Sequence, residues 1–297
     1  MAKIAVEFEK GCGEATARPV ARLLAQGDGW AVSDVVCTAG PRDRPFEEQH
    51  TRASIAMIVA GTFQYRSSAG CDLMTPGSLL LGNLGQSFEC GHEHGMGDRC
   101  ISFSYAPEFF ERIAADAGSS AGARFQMLRV PAIRPLSPLI ARAAAALAGS
   151  TGLPWEELTI ELAAQAVQLE RGLPSGPLRV EPGAVARVTR VVRMIERQPD
   201  GPHNLKALAG EAHLSPYHFL RTFEVVTSTT PHQHLLRIRL RHAATRISTE
   251  PAKILDIALD CGFGDISNFN RTFRAEFGVS PRVYRAQTSS KNTKPRP

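Results

Sequence analysis

Hydrophobic and polar positions alternate over short stretches in the first third of the chain. Between residues 30 and 105, four such stretches read WAVSDVVCTAG, SIAMIVAGTFQYRSS, GSLLLGNL and RCISFSYA. Glycine and proline residues separate them, which is typical of short strands joined by turns. Residues 1–134 are therefore predicted to form a small antiparallel barrel or sandwich.

Apolar residues recur at helical spacing in the next segment, residues 135–171. An alanine-rich stretch is followed by PWEELTIELAAQAVQLER, whose apolar stripe consists of Leu158, Leu162, Ala166 and Leu169. This stripe suits two alternatives, packing on the barrel or pairing with a second copy of the chain in a homodimer. Residues 172–183, GLPSGPLRVEPG, have the glycine and proline content of an interdomain linker.

Two copies of one helical unit, offset by fifty residues, follow the predicted linker. The first copy runs from Leu205 to Val226 and the second from Ile254 to Phe277. Five residues recur in register: Phe219, Arg221, Thr222, Phe223 and Pro231 reappear as Phe269, Arg271, Thr272, Phe273 and Pro281. This agreement indicates an internal duplication.

Each copy carries the signals of two helices joined by a turn. In the first copy, Ser215 and Pro216 supply an N-cap and a proline at the first helical position. An apolar face then follows at helical spacing, so the second helix can pack on the first and leave its opposite face polar. Residues 231–247 between the copies are predicted to be one helix about 25 Å long. Residues 184–288 are thus predicted to form an all-helical domain with two helix-turn-helix units.

Charge distinguishes the repeat region from the rest of the chain. Residues 183–297 hold 18 Lys and Arg against 9 Asp and Glu, a net charge of +9. Residues 1–182 hold 16 against 20, a net of −4, and the two parts together give the +5 of the whole chain. A basic domain with two helix-turn-helix units is the composition expected of a protein that binds double-stranded DNA. Residues 289–297 are predicted to be a disordered basic tail.

Other function classes lack their sequence signals. The sequence has no run of eighteen apolar residues and no apolar core of a secretion signal near its start, so no membrane association and a cytoplasmic location are expected. Six cysteines in 297 residues suggest reduced thiols. No G-x-S-x-G, phosphate-binding glycine loop or H-E-x-x-H motif occurs, so the chain is not predicted to be an enzyme.

One group of residues in the first domain is a candidate metal site. The segment FECGHEHGMGDRC brings together Cys90, His92, His94 and Cys100. On an extended segment, alternate residues share a face, so the first three would point the same way toward zinc or another transition metal. A second interpretation stays open, in which the histidines line a loop and the cysteines act as small apolar residues.

The region from about Ala207 to Arg285 resembles the AraC/XylS-type bacterial transcription regulators. The resemblance rests on LSPYHFLRTF, TPHQHLLRIRLRHA, ILDIALDCGFGDISNFNRTF and FGVSPRVYR. Two positions depart from the family pattern, because Ser228 replaces a usual glycine and His234 a usual tyrosine. Ser228 is therefore expected to adopt a left-handed or otherwise strained turn, or to end its helix differently.

The resemblance implies a sequence-specific regulator that reads two adjacent segments of the major groove. The residues expected at the base edges are Tyr217, Leu220, Arg221, Ser267, Asn268 and Arg271. Arginine can contact guanine, and asparagine adenine, through two hydrogen bonds each. Four further cations are candidates either for phosphate contacts or for solvated surface charges: Lys206, Arg237, Arg239 and Arg274.

The N-terminal half looks like the cupin-type sensor domain that often precedes this module. The predicted fold is accordingly a multidomain α+β chain, with a cupin-like barrel and helices before a double helix-turn-helix. Expected partners are promoter DNA and a small-molecule or metal effector, with RNA polymerase a candidate. Two alternatives are a cupin-type metalloenzyme, such as a dioxygenase, fused to a DNA-binding domain, and a DNA binder without sequence preference.

Overall fold

The N-terminal half contains two antiparallel sheets. The computed structural model describes residues 19–119, 123–148, 154–173, 181 and 183–290. Most of the predicted linker and the predicted tail beyond residue 290 lie outside the described residues, so both remain predictions. The ten strands are β1 Val20–Gly27, β2 Trp30–Cys37, β3 Phe46–Gln49, β4 Ala53–Gly61, β5 Phe63–Ser67, β6 Gly70–Met74, β7 Leu79–Gly82, β8 Ser87–Gly91, β9 Asp98–Tyr105 and β10 Arg129–Val130.

The strands divide into a six-stranded sheet, ordered β1-β2-β9-β4-β7-β10, and a four-stranded sheet, ordered β3-β8-β5-β6. All their pairings are antiparallel. Within the described residues the hydrogen bonding does not close into one ring, because β3, β5, β6 and β8 pair only among themselves. The antiparallel sheets are thus confirmed, whereas closure into a barrel is not seen.

The large sheet has two buried faces, which explains the long apolar run of β4. Ile55 and Met57 pack on the helices of this half, whereas Ala56 and Ile58 pack against the small sheet. Because successive side chains of a strand point to opposite faces, a strand between two layers is apolar at almost every position. The N-terminal half therefore has three layers, with the large sheet in the middle.

Three helices cover the outer face of the large sheet: α1 Pro107–Asp116, α2 Ser137–Leu147 and α3 Trp155–Gly172. The predicted stripe of α3 packs here, since Leu158, Leu162 and Ala166 are fully buried in this core and Leu169 is partly buried. The hydroxyl of Tyr105 also donates to the Thr159 carbonyl at 3.1 Å. Packing on the sheet, the first of the two alternatives, is what the structure shows for this stripe.

The C-terminal half is built only of helices in the described residues. They are α4 Ala184–Arg197, α5 Leu205–Glu211, α6 Pro216–Thr227, α7 Pro231–Thr249, α8 Ile254–Asp260, α9 Ile266–Phe277 and α10 Pro281–Ser290. The start of the long helix α7 contributes Leu235 and Ile238 to a core with α4, α5 and α6. Its second half contributes Leu240, Ala243 and Ile247 to a core with α8, α9 and α10. One helix therefore joins two small bundles.

The helix boundaries follow the predicted local signals. The Ser215 side chain accepts a hydrogen bond from the His218 amide, and Pro216 begins α6. Thr230 and Gln233 form a reciprocal capping box at the start of α7. Ser228, at the end of α6, has a φ of 58°, so the expected left-handed turn is confirmed. None of the described helices has the length and hydropathy needed to cross a bilayer.

The two halves are docked on each other through polar and apolar contacts. Leu73 of β6 is part of the core of the first helical bundle, and Ala141 of α2 is part of the second. The guanidinium of Arg241, on α7, donates to the Pro76 carbonyl at 3.0 Å. The Gly61 amide donates to the Glu196 carboxylate at 2.7 Å. Because these contacts join the two halves directly, a structural change in the sheets can affect the position of the helices.

His234 makes the stability of the first bundle depend on pH. Its ring is 1% exposed and lies edge-on to Phe223, and burial lowers its pKa from 6.5 to about 3. The stability contributed by the neutral ring is complete above pH 6.5 and is lost as the pH falls toward 3. We expect the His234→Leu variant to lose about 2 kcal/mol less stability than the wild type between pH 7 and pH 5.

Denaturant unfolding at both pH values measures this difference. The matched control is His218→Leu, because His218 lies on the neighbouring helix α6 and is exposed. Burial also lowers the pKa of His242 and of His50 to about 4, so part of the acid sensitivity should survive in the His234 variant. Equal losses in the wild type and the His234 variant would contradict the assignment.

Candidate nucleic-acid interface

The helices α6 and α9 are equivalent elements of the two bundles. Each is anchored by phenylalanines on one face, with Phe219 and Phe223 fully buried in α6 and Phe269 and Phe273 fully buried in α9. The ring centroids of each pair lie 5.6 and 5.4 Å apart. Because the apolar face is held in the bundle, the opposite face of each helix is turned toward solvent.

The exposed face of α6 carries the first three predicted base-contacting residues. Tyr217 is 63% exposed and Leu220 is 37% exposed. The exposed Arg221 donates from Nη1 to the Tyr217 hydroxyl at 3.3 Å, and its guanidinium carbon lies 5.9 Å from the centre of the tyrosine ring. This weak contact with a solvent-exposed neighbour leaves the guanidinium accessible to another acceptor.

The exposed face of α9 carries the other three predicted base-contacting residues. Ser267 and Arg271 are exposed, and Asn268 is half-buried. Arg271 donates from Nη2 to Oδ1 of Asn268 at 3.1 Å, so an arginine and an asparagine lie side by side. The Asp265 carboxylate caps this helix by accepting from the Asn268 amide at 2.7 Å. The two candidate arginines therefore occupy matching positions on matching helices.

The four predicted phosphate-contacting cations divide into two groups. Lys206 on α5 and Arg274 on α9 are exposed, as a phosphate contact requires. The prediction is wrong for Arg237, whose guanidinium lies 3.4 Å from the Glu276 carboxylate and donates to the Ala132 carbonyl at 2.9 Å. Its side chain is only 12% exposed and faces the N-terminal half, because that side of α7 is covered.

The prediction is also wrong for Arg239, which holds the two bundles together. Its guanidinium donates to the carbonyls of Pro199, Gly262 and Gly201 at 2.6, 2.8 and 2.9 Å. Pro199 and Gly201 follow α4 in the first bundle, whereas Gly262 follows α8 in the second. A side chain at Gly262 would meet this guanidinium and the Asp200 backbone at 2.9 Å, and its φ is +85°. Arg239 therefore helps set the relative position of the two bundles.

Known proteins resemble this part of the chain. A family model for a helix-turn-helix domain matches residues 208–287. The regulatory protein SoxS of Salmonella typhimurium is 32% identical over 98 residues, which are 33% of this chain and 92% of SoxS. The chain belongs to the AraC family of transcriptional regulators.

A longer relative matches over a segment of similar length. The RCS-specific transcriptional activator RclR of Escherichia coli is 33% identical over 99 residues, 33% of this chain and 35% of RclR. The match thus spans about a third of that relative. Among solved structures, the DNA-binding domain of AdpA in complex with a target DNA is similar at 27% identity and a TM-score of 0.35, covering 35% of this chain and 95% of that one.

The four predicted metal ligands of this AraC-family protein do not come together as one group in the described residues. Strand β8 ends at Gly91, so His92 and His94 lie in a turn and do not alternate along a strand with Cys90. His92 is 5% exposed, whereas His94 is exposed. In the part of the chain that the structure describes, the residues whose donor atoms lie mutually within 4.8 Å are Cys37, His92 and Asp98.

Cys37 and Asp98 were not among the predicted ligands, because their contact depends on strand pairing. Cys37 ends β2 and lies opposite Asp98, which begins β9. Nε2 of His92 lies 2.5 Å from Oδ1 of Asp98. Burial, followed by the charge of Asp98, raises the pKa of the Cys37 thiol to about 12. Burial raises the pKa values of the neighbouring Cys90 and Cys100 thiols well above the usual range for a thiol.

Three arginines at the junction between the halves were not singled out from the sequence: Arg129, Arg193 and Arg241. Arg193 of α4 donates to Oγ1 of Thr62 at 3.0 Å and to the carbonyls of Met96 and Gly97 at 2.5 and 2.8 Å. An arginine in a basic domain is ordinarily assigned to solvent or to DNA. Only the packing of the two halves shows that this one binds backbone of the N-terminal half.

Proposed function

We propose that this regulator binds a specific promoter sequence as double-stranded DNA, and that its N-terminal half senses an effector. In this proposal α6 and α9 enter successive segments of the major groove, where Arg221 and Arg271 contact base edges. Lys206 and Arg274 contact phosphates and position the domain without selecting sequence. RNA polymerase and a second copy of the chain are further candidate partners.

One observation carries the proposal. Arg221 and Arg271 are fifty residues apart, occupy equivalent positions on two capped helices, and are both exposed opposite a buried phenylalanine face. A solvated surface charge would not need this repeated placement. Two helices joined through one long helix suit two groove segments about one duplex turn apart.

Support for the sensing role comes from the junction of the two halves. Residues of the sheets contact α4, α6 and α7 directly, so two arrangements of the halves would differ in these contacts. An effector that binds one arrangement a few kcal/mol more tightly would shift promoter occupancy. The cupin-like metalloenzyme alternative gains no support, since the matched relatives are named as regulators.

Selection from random duplexes with the purified full-length chain tests the proposal. We expect enrichment of a sequence with two short conserved blocks whose centres are about 10 base pairs apart. Binding should also weaken with salt, because phosphate contacts release counterions. Steep salt dependence with no enriched sequence would contradict the proposal and would favour the binder without sequence preference.

A further inference from the structure

A buried thiol, imidazole and carboxylate converge where the two sheets meet the first helical bundle. Cys37, His92 and Asp98 are 3%, 5% and 5% exposed, and their donor atoms lie within 4.8 Å of one another. They come from three separate segments, the end of β2, the turn after β8 and the start of β9. We call these three residues the CHD cluster.

The donor set fits zinc better than a hard cation. Zinc prefers thiolate, imidazole and carboxylate ligands in tetrahedral geometry, whereas calcium and magnesium prefer oxygen ligands. Tetrahedral ligands at zinc bond lengths are about 3.5 Å apart, so the longest separation in the cluster would need to close by about 1.3 Å at most. The His92 and Asp98 donor atoms, 2.5 Å apart, would instead open by about 1 Å. The His92 and Asp98 side chains already meet, and a cation would replace the proton that they share.

We propose that the CHD cluster binds one zinc ion and that this binding changes how the N-terminal half docks on α4. This inference rests on the proposed function, since it names zinc as the chemical class of effector. On binding, Cys37 releases its thiol proton to solvent and binds as thiolate, while His92 binds through Nε2 as neutral imidazole protonated on Nδ1, and Asp98 binds as carboxylate. The fourth tetrahedral position is left to water or to a ligand from solution.

The coupling between zinc binding and α4 follows from the contacts that hold the turn between His92 and Asp98. Residues 92–97 connect His92 to Asp98, and the Gly97 amide is fixed by the Ala39 carbonyl at 2.8 Å. Arg193 of α4 holds the same turn through the Met96 and Gly97 carbonyls. A side chain at Gly95 would clash with this guanidinium, so the turn and α4 are in close contact. A shift of His92 or Asp98 toward a zinc ion must therefore move carbonyls that α4 binds.

Zinc also changes the local charge next to Arg193. Burial lowers the pKa of the half-buried Arg193 guanidinium, while the charges of Glu196 and then of Asp98 favour its charged form. A divalent ion bound at Asp98 neutralises that attraction and adds positive charge. The movement of the turn and the added positive charge would each weaken the docking of α4 on the turn.

Titration of the full-length, metal-free protein with zinc tests the site, followed by cobalt(II) as a spectroscopic probe. We expect one zinc per chain, and with cobalt the absorption of a thiolate-bound tetrahedral ion. The Cys37→Ser, His92→Ala and Asp98→Asn variants should each bind zinc at least 10-fold more weakly. The controls Cys71→Ser and His94→Ala change the same residue types at exposed positions and should bind as the wild type does.

Retained binding by the three CHD variants, or no zinc bound by the wild type, would overturn the site. The Asp98→Asn variant keeps the shape of the side chain, and its thermal unfolding checks that lost binding is not lost folding. An equally weak response to zinc in the two control variants would also overturn it, because the effect would then not belong to the cluster.

Binding to the selected duplex, with and without zinc, tests the coupling. We expect zinc to change the affinity of the wild type at least 5-fold and that of Arg193→Ala by much less. Zinc binding with unchanged DNA affinity would overturn the coupling. Selective DNA binding without zinc binding would overturn this inference and leave the proposed function intact. Zinc binding without any selected sequence would overturn the proposed function instead.

Discussion

Replacing Arg221 and Arg271 together by alanine is expected to weaken binding to the selected duplex by about 2 to 6 kcal/mol. Each arginine that contacts a guanine through two hydrogen bonds contributes about 1 to 3 kcal/mol, and losses at well-separated base pairs are roughly additive. Each single variant should lose about half of this and relax sequence preference at one position only. Fluorescence anisotropy with the selected duplex, and with duplexes changed at single positions, measures both effects.

The matched control removes two exposed arginines from the N-terminal half, Arg112 and Arg124. This double variant loses the same total charge, so it reports the effect of charge alone, which should be small. The phosphate candidates give a third pattern, since Lys206→Ala and Arg274→Ala should weaken binding to all duplexes and reduce the salt slope. If the arginine pair weakened all sequences equally, these residues would not be the ones that read bases.

Replacing Asp72 by alanine is expected to destabilise the folded chain by about 3 to 5 kcal/mol, because it leaves a buried guanidinium unpaired. Arg129 is 3% exposed, and its Nε donates to Oδ1 of Asp72 at 3.2 Å. Its two other nitrogens donate to the Thr227 carbonyl and the Ser228 hydroxyl at the end of α6, each at 3.2 Å. Burial lowers the pKa of Arg129 and raises that of Asp72, so the pair compensates for the burial of both.

Replacing the other partner of the pair, in Arg129→Met, should reduce the stability of the folded chain less than Asp72→Ala does. The Asp72 side chain is 25% exposed and can be hydrated once its partner is gone. The double variant Asp72→Ala/Arg129→Met should recover most of the stability lost in Asp72→Ala, as expected for two groups that are costly only when separated. Unfolding midpoints in guanidinium chloride measure all three variants. A double variant that is less stable than Asp72→Ala alone would refute the explanation.

Most of the C-terminal half could be predicted because its signals are local. The two copies were placed at Leu205–Val226 and Ile254–Phe277, and the structure has α5 with α6, and α8 with α9, over nearly the same bounds. N-caps, a proline at the first helical position and phenylalanines at helical spacing all act within a few residues of one another. The left-handed turn at Ser228 was one of the predicted alternatives, because the family resemblance places a glycine at this position.

The long helix α7 shows what local sequence signals do not predict, namely the surroundings of each side chain. Its bounds were nearly right, but Arg237, Arg239 and Arg241 carry the same side chain and face three different environments. Arg237 pairs with Glu276, Arg239 binds backbone of both bundles, and Arg241 is 7% exposed at the junction of the halves. A helix enclosed by two bundles and a sheet has little free surface, so charge alone does not indicate which arginine can reach DNA.

The sequence by itself determined part of the sheet strands, most helices of the C-terminal half, the duplication, the family and the pair of arginines that the proposal assigns to DNA. Each depends on residue types at short spacing, or on a repeat that can be compared with itself. The tertiary structure alone decided that Cys37 and Asp98 join His92, and that Arg193 connects their turn to α4. Such contacts join segments far apart in the chain, and their geometry depends on strand register and on how the two halves pack.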